Sequence, residues 1–282
     1  MTASVLLTEE RAGIRTLTLN RPHRKNAINR ELWEALRSEL AVVRDDSRTR
    51  AVVITGAGDQ FSSGADLSAV EADLHPLRRM RPLTDVALML HELPVPTIAK
   101  VTGVAVGAGW NLALGCDFVV ATPESRFSQI FARRGLSPDC GGSWLLPKLA
   151  GLQQAKRLAL LGDFIDAQEA RSLNLVTWVV PGPEIDAFVD RLGERLAQGP
   201  PVALAQTKAL LNEGADRTLR DALASEGRAQ SANLATTDAP EAYAAFLEKR
   251  EPRFTGRWAP GSDRRRSESS MSSISSVEVA DA

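Results

Sequence analysis

Pro96-Thr97-Ile98-Ala99-Lys100-Val101-Thr102-Gly103-Val104-Ala105-Val106-Gly107-Ala108-Gly109 begins as a short apolar run and ends in a glycine-rich turn. Such a run reads as a buried strand. Trp110 to Leu114 then reads as a helix, and Asp117-Phe118-Val119-Val120-Ala121 as another strand. Strand, turn, helix and strand in that order mark an α/β core. The same order stands upstream. Ala51-Val52-Val53-Ile54-Thr55 is an apolar run stopped by Gly56, and Phe61-Ser62-Ser63-Gly64-Ala65-Asp66-Leu67 leads from it toward a helix pattern. Farther out, Ile14 to Leu19 alternates with period two. Asn20-Arg21-Pro22 ends that strand, because proline lacks a donor and fixes φ. Leu32, Leu36, Leu40 and Val43 fall on one helix face.

The second half reads as helical. Ile185, Phe188, Val189, Leu192 and Leu196 share a face, Gly199-Pro200-Pro201 breaks that helix, and Pro201 suits the first turn of the next. Val202 to Asn212, Leu219 to about Leu234 and Pro240 to Lys249 follow. The expected division is a core over residues 1–199, a helical oligomerisation region over 200–258 and a tail over 259–282. The helices from Pro201 to Lys249 carry more apolar face than a solvent-facing appendage tolerates. From Gly261 onward the chain is rich in Ser and Arg and is expected to be disordered.

Composition narrows the function classes. The 282 residues are 44% hydrophobic and 24% charged, with a net charge of −1, so no global basic field points to nucleic acid. Arg264-Arg265-Arg266 lies in the expected tail and supports RNA binding only weakly. Two cysteines, Cys116 and Cys140, make no disulfide framework and fit a reducing compartment. His23, His75 and His91 show no metal-ligand spacing, so no metal is expected. The N-terminal residues, with Glu9 and Glu10, do not read as a signal peptide, and no apolar run is long enough to span a bilayer. The expected location is cytoplasmic, with no membrane partner.

Two glycine loops carry the functional argument. One is Phe61–Leu67; the other is Gly107-Ala108-Gly109 at the start of a helix. Small residues let a ligand approach the backbone, and free amides there favour negative charge. Two such loops can aim two N–H donors at one oxygen, an oxyanion hole. Alternatively, the glycines only make turns. A dinucleotide site fails on spacing, since a third glycine is required at 112 and the chain has Leu112. No Walker-type sequence is present either.

Taken together, Leu19-Asn20-Arg21-Pro22, Asn26-Ala27, Phe61–Leu67, Gly103–Gly109, Cys116-Asp117, Leu161-Gly162 and Ala244–Arg250 resemble the enoyl-CoA hydratase/isomerase (crotonase) family over roughly residues 14 to 258. The resemblance implies an α/β spiral of ββα turns with a C-terminal helical trimerisation region. It implies trimers or dimers of trimers, and an acyl-CoA thioester substrate whose coenzyme A is part of the substrate, with no other cofactor. It further implies that the amides of Ala65 and Ala108 bind the thioester carbonyl, with Ser63, Gly64, Asp66, Leu67 and Gly107 around it. Arg24 and Lys25 are placed to meet the CoA phosphates, or else form a solvated turn. Phe246 and Lys249 match positions that contact CoA, often from a neighbouring subunit. As plain sequence they are an amphipathic helix end. Asp66 and Asp117 look like acids that lock loops.

Hydratases of this family hold water with two glutamates. The first belongs four residues after Gly107, where this chain has Asn111; the second falls at Phe131. Neither side chain exchanges a proton near neutral pH. One carboxylate remains nearby, Asp139 in Gly135-Leu136-Ser137-Pro138-Asp139-Cys140-Gly141-Gly142-Ser143-Trp144. That segment resembles the phenylacetate-pathway ring-epoxide isomerase branch, in which the matching Asp is the acid/base. Alternatively, Asp139 caps a helix starting near Cys140. Burial beside Phe131 and Trp144 is expected to raise its pKa. Cys140 reads as a small buried thiol more readily than as a nucleophile. The expected activity is therefore movement of a C=C bond from Δ3 to Δ2, or isomerisation of a ring-bearing acyl-CoA, through an enolate. The alternatives are 2-enoyl-CoA hydration in fatty-acid oxidation and silent acyl-CoA binding.

Overall fold

The computed structural model describes residues 4–68, 75–214 and 216–259; the tail from Gly261 to Ala282 lies outside the described residues. In chain order the elements begin with β1 (Leu6–Arg11), β2 (Ile14–Leu19), α1 (Arg30–Asp45), β3 (Ala51–Gly56), α2 (Pro76–Glu92), β4 (Thr97–Val101), β5 (Val104–Val106), α3 (Ala108–Leu114), β6 (Phe118–Ala121) and β7 (Arg126–Ser128). They continue with α4 (Gly142–Ala150), α5 (Leu152–Leu161), β8 (Ile165–Asp166), α6 (Ala167–Ser172), β9 (Trp178–Val179), α7 (Ile185–Ala197), α8 (Pro201–Gly214), α9 (Leu219–Leu234) and α10 (Asp238–Glu248).

The main sheet runs β1-β2-β3-β4-β6-β9, antiparallel only between β1 and β2. A second sheet, β5-β7-β8, stands beside it. After β4 the chain steps into β5 of the second sheet, makes α3, returns as β6 to the first and steps again into β7. One strand per sheet and a helix make each turn, which is the ββα spiral of the crotonase fold. The preceding turn reaches the second sheet through a bridge between Ser62 and Ala105.

Alternation along the central strands explains why they are apolar throughout. Val53, Ile98 and Val120 pack on Ile185 and Val189 of α7. Their neighbours Val52, Ile54, Ala99 and Val119 point to the larger core on the opposite face. A sheet covered on both faces needs such strands. In α1, Asn29 accepts the Leu32 N–H at 3.0 Å and caps the helix. Leu32, Leu36, Leu40 and Val43 then form the buried stripe, together with Trp33. Each Leu so buried stabilises the fold by roughly 1.5–3 kcal/mol.

Two boundaries differ from the sequence reading. α10 starts at Asp238 rather than Pro240, because a proline in the first turn forfeits no hydrogen bond. α4 starts at Gly142 rather than near Cys140. Of the C-terminal helices, α8 is tied to the core by polar contacts. Lys208 of α8 meets Asp117 at 2.8 Å and donates to the Val95 carbonyl at 3.2 Å, and Asn212 donates to the His91 carbonyl at 3.0 Å. Among the described residues, no helix is long and apolar enough to cross a membrane.

Candidate active site

The two glycine loops meet. Val106 N–H donates to Ser62 O at 3.0 Å, and Ser62 N–H donates to Val104 O at 2.9 Å. Gly64 adopts φ 92, and a Cβ on it would lie 2.7 Å from the Val106 carbonyl oxygen and 3.8 Å from the Ala108 nitrogen. Only glycine permits that approach. Ile28 N–H donates to Gly64 O at 2.8 Å and Asp66 N–H to Ile28 O at 3.0 Å, so the Ala65 N–H between them faces away from this pairing. Ala108 is the first residue of α3, behind Gly107 at φ 54, and its N–H has no acceptor earlier in the helix. Among the described residues neither amide donates to a protein group. These are two spare donors on adjoining loops, as an oxyanion hole requires.

The surrounding loop is fixed by polar ties. Asp66 accepts from Ser68 Oγ at 2.7 Å and pairs with Arg21 at 2.8 Å. The Ser68 hydrogen bond, then the Arg21 contact, hold its carboxyl down at about 2 against the cost of burial. Asp66 thus locks the loop and is not a free ligand group. Ser63 holds the backbone of the preceding turn, its N–H donating to Lys25 O (2.9 Å) and its hydroxyl to Arg24 O (3.2 Å). Arg24 and Lys25 are therefore exposed beside the loop, without ion pairs among the described residues, and Leu67 is exposed on it.

Asp139 Oδ1 is buried and has no hydrogen-bond partner among the described residues. Burial raises its pKa to about 6. The capping role is corrected: Gly141 is the N-cap of α4 and no side chain caps it. With no helix to cap and Oδ1 unpartnered, the carboxyl can take and release a proton near neutral pH; a hydrogen bond from its own backbone N–H only partly offsets the effect of burial. Asn111 is buried and donates from Nδ2 to the Asp139 carbonyl oxygen at 2.8 Å. Phe131 brings its ring end over Gly107, within 3.5 Å of where a Cβ would stand. An amide and a phenyl ring thus occupy the places expected for the hydration acids.

Beside Asn111 opens an apolar chamber of about 310 Å³, lined in part by Leu88, Leu90, His91, Cys140 and Trp144. Trp144 packs edge-on to His91, with ring centroids 5.0 Å apart, and lies under Lys148. Burial, then Lys208, lowers the His91 pKa and favours the neutral ring. Burial raises the Cys140 thiol pKa far above its ordinary value, with Asp139 adding to the effect, which removes it as a nucleophile. Phe246 and Lys249, at the end of α10, are exposed. Sequence reasoning missed the α2 lining residues and Gln129, which is buried and donates to Asn111 Oδ1 at 2.7 Å.

The raised pKa of Asp139 has a stability consequence. An unfolded aspartate titrates near 4, roughly two units below the folded group. The folded state therefore holds the proton more tightly. The resulting penalty is absent below about pH 4, grows toward about pH 6 and is complete above it. Asp139→Asn is expected to stabilise the protein above about pH 6 by up to roughly 2–3 kcal/mol and to change little below about pH 4. Thermal melts at the two pH values check this; equal shifts at both would mean that the carboxyl is solvated.

A family profile described as enoyl-CoA hydratase/isomerase matches residues 9–257. The 1,2-epoxyphenylacetyl-CoA isomerase of Escherichia coli K12 is 37% identical over 89% of this chain and 98% of its own length. The 2,3-dehydroadipyl-CoA hydratase of the same organism is 36% identical over 90% of this chain and 100% of its own. Among solved structures, the enoyl-CoA hydratase of Bacillus anthracis superposes with a TM-score of 0.86 at 30% identity, covering 90% of this chain and 100% of that one.

Proposed function

The chain belongs to the enoyl-CoA hydratase/isomerase family, and from that membership we propose that it is an isomerase in which Asp139 moves a single proton along an acyl-CoA thioester. The observation that carries this reading is the Asp139 carboxyl, whose buried Oδ1 has no hydrogen-bond partner among the described residues and whose pKa lies near 6, next to Asn111, which cannot titrate. The thioester carbonyl binds the amides of Ala65 and Ala108, which makes the C2 hydrogens acidic. Asp139 removes the C2 proton of a 3-enoyl thioester and leaves a dienolate held by the two amides. The protonated carboxyl then delivers its proton to C4, and the double bond ends between C2 and C3. Each amide contributes roughly 2.7–4 kcal/mol to lowering the barrier. Coenzyme A belongs to the substrate, and the step needs no other cofactor.

The apolar chamber, lined in part by Asn111, the hydrogen-bond partner of Asp139, and by Cys140, its chain neighbour, is the space we assign to the acyl group. Its 310 Å³ exceeds the roughly 150 Å³ cavity that accepts benzene, which favours a ring-bearing or branched acyl group over a short linear one. Arg24 and Lys25 suit the CoA phosphates. Supplying 3-enoyl-, 2-enoyl- and ring-bearing CoA thioesters and identifying products by mass and NMR tests the reading. Conversion of 3-enoyl to 2-enoyl thioester with little 3-hydroxyacyl product is expected. Robust hydration of crotonyl-CoA would overturn it in favour of the hydratase, the activity named for several relatives. Binding with no turnover would favour the silent acyl-CoA binder.

The assembly belongs to the same proposal. α9 buries only Ala229, while Leu219, Leu223, Phe246 and Leu247 stand exposed on α9 and α10. A trimer, or a dimer of trimers, would cover these residues and could bring Phe246 and Lys249 to a neighbour's CoA. Light scattering at micromolar concentration is expected to give the trimer or hexamer mass; a monomer would contradict it. Both cysteines are free thiols, which supports the proposed cytoplasmic location.

A further inference from the structure

Two buried amides behind Asp139 play no direct part in the chemistry above. The Asp139 carbonyl oxygen can only accept, so Asn111 must turn its NH2 group toward it, at 2.8 Å. Asn111 Oδ1 then faces Gln129, which must present its own NH2 group, at 2.7 Å. That orientation leaves Gln129 Oε1 buried without a partner among the described residues. An orphaned buried carbonyl costs stability, and the Gln129 side chain carries that cost while serving the fold only as the donor to Asn111.

Gly142 closes the arrangement from the other side. A Cβ there would stand 2.3 Å from Asn111 Nδ2, closer than any side chain permits. Between Asp139 and Gly142 the chain makes a tight turn, with Cys140 at φ 49 and Gly141 at φ 78. Left-handed backbone at a cysteine is unfavourable and persists only where its surroundings impose it. The Asn111 amide ties down the carbonyl immediately before that turn.

We propose that Gln129 and Asn111 are positioning residues: the relay from Gln129 through Asn111 to the Asp139 carbonyl fixes the Cys140 turn and so aims the Asp139 carboxyl. This rests on Asp139 being the proton carrier. It gives Asn111 a task other than holding water. A single Asn111→Glu exchange would lose the donor to Asp139 and crowd Gly142, so it would not restore hydration.

Gln129→Met tests the relay, because it keeps length while removing both the donor and the orphaned carbonyl. The expected result is a fall in kcat of roughly 10- to 100-fold, the scale of a small misplacement of a reacting group. KM should be unchanged, the melting temperature close to wild type because Asn111 Oδ1 replaces Gln129 Oε1 as the orphaned carbonyl, and the pH–rate inflection near 6 displaced. Asn111→Ala should show the same kinetic loss, and the double variant should lose no more than either alone, since both act through one contact. If Gln129→Met does not fold, Asn111→Ala decides by the same readouts. Wild-type kcat and pH profile in the variant would overturn the relay and leave the role of Asp139 intact. A loss of kcat accompanied by a lower melting temperature and a raised KM would also overturn it, as ordinary packing damage. If wild type fails to isomerise at all, the functional reading itself falls.

Discussion

Asp139→Asn is expected to lower kcat for isomerisation by roughly 10²–10⁴-fold, the range for a lost general acid–base group, with little change in KM. The exchange keeps the size of the side chain and removes the proton carrier. No capping hydrogen bond is broken, because α4 is capped at Gly141 without a side chain. No charged partner is lost either, because only burial and the residue's own backbone hydrogen bond act on the carboxyl. A damaged scaffold would show itself by a lower melting temperature, whereas loss of a buried charge should raise it above about pH 6. The wild-type rate should rise with pH through about 6, where the carboxyl ionises and becomes a base, and that limb should vanish in the variant. Near-wild-type isomerisation by Asp139→Asn would remove Asp139 from the reaction.

Ala108→Pro should cost roughly 10²–10³-fold in kcat, the effect of removing one oxyanion donor. Ala108 is the first residue of α3, where proline is well tolerated and its missing N–H disturbs no helical hydrogen bond. The substitution thus removes the amide without breaking the helix. Circular dichroism and melting should match wild type while turnover collapses. The effect reaches any reaction that passes through an enolate, so it tests the hole independently of the acid. Unchanged turnover would mean that the carbonyl binds elsewhere.

Much of this architecture was legible in the sequence. The apolar runs at Ala51–Thr55, Thr97–Val101 and Phe118–Ala121 read as strands because both of their faces are covered. Gly64 and Gly107 marked the two loops, since each takes a backbone conformation that other residues resist. The second sheet was not legible. β5, β7 and β8 are two or three residues long, too short to show a period, and are defined by pairing across distant segments. β1 was hidden by its charged, exposed edge residues, with only Leu6 buried. In the site, the resemblance singled out Asp139, but its isolation could not be read, because the absence of a partner is a three-dimensional fact. Gln129 escaped for the same reason. Its contact is 18 residues away at Asn111, and Asn111 reaches another 28 residues to Asp139.

The most direct measurement of the proton shuttle is isotope exchange. The protonated Asp139 carboxyl exchanges with solvent over repeated turnovers, so a 3-enoyl-CoA thioester brought to equilibrium in deuterated water with wild-type protein should give 2-enoyl product carrying deuterium at C2 or C4, read by NMR and mass. With Asp139→Asn at equal concentration, no label should enter beyond the uncatalysed rate. Exchange by the variant at the wild-type rate would contradict the assignment of Asp139 as the proton carrier.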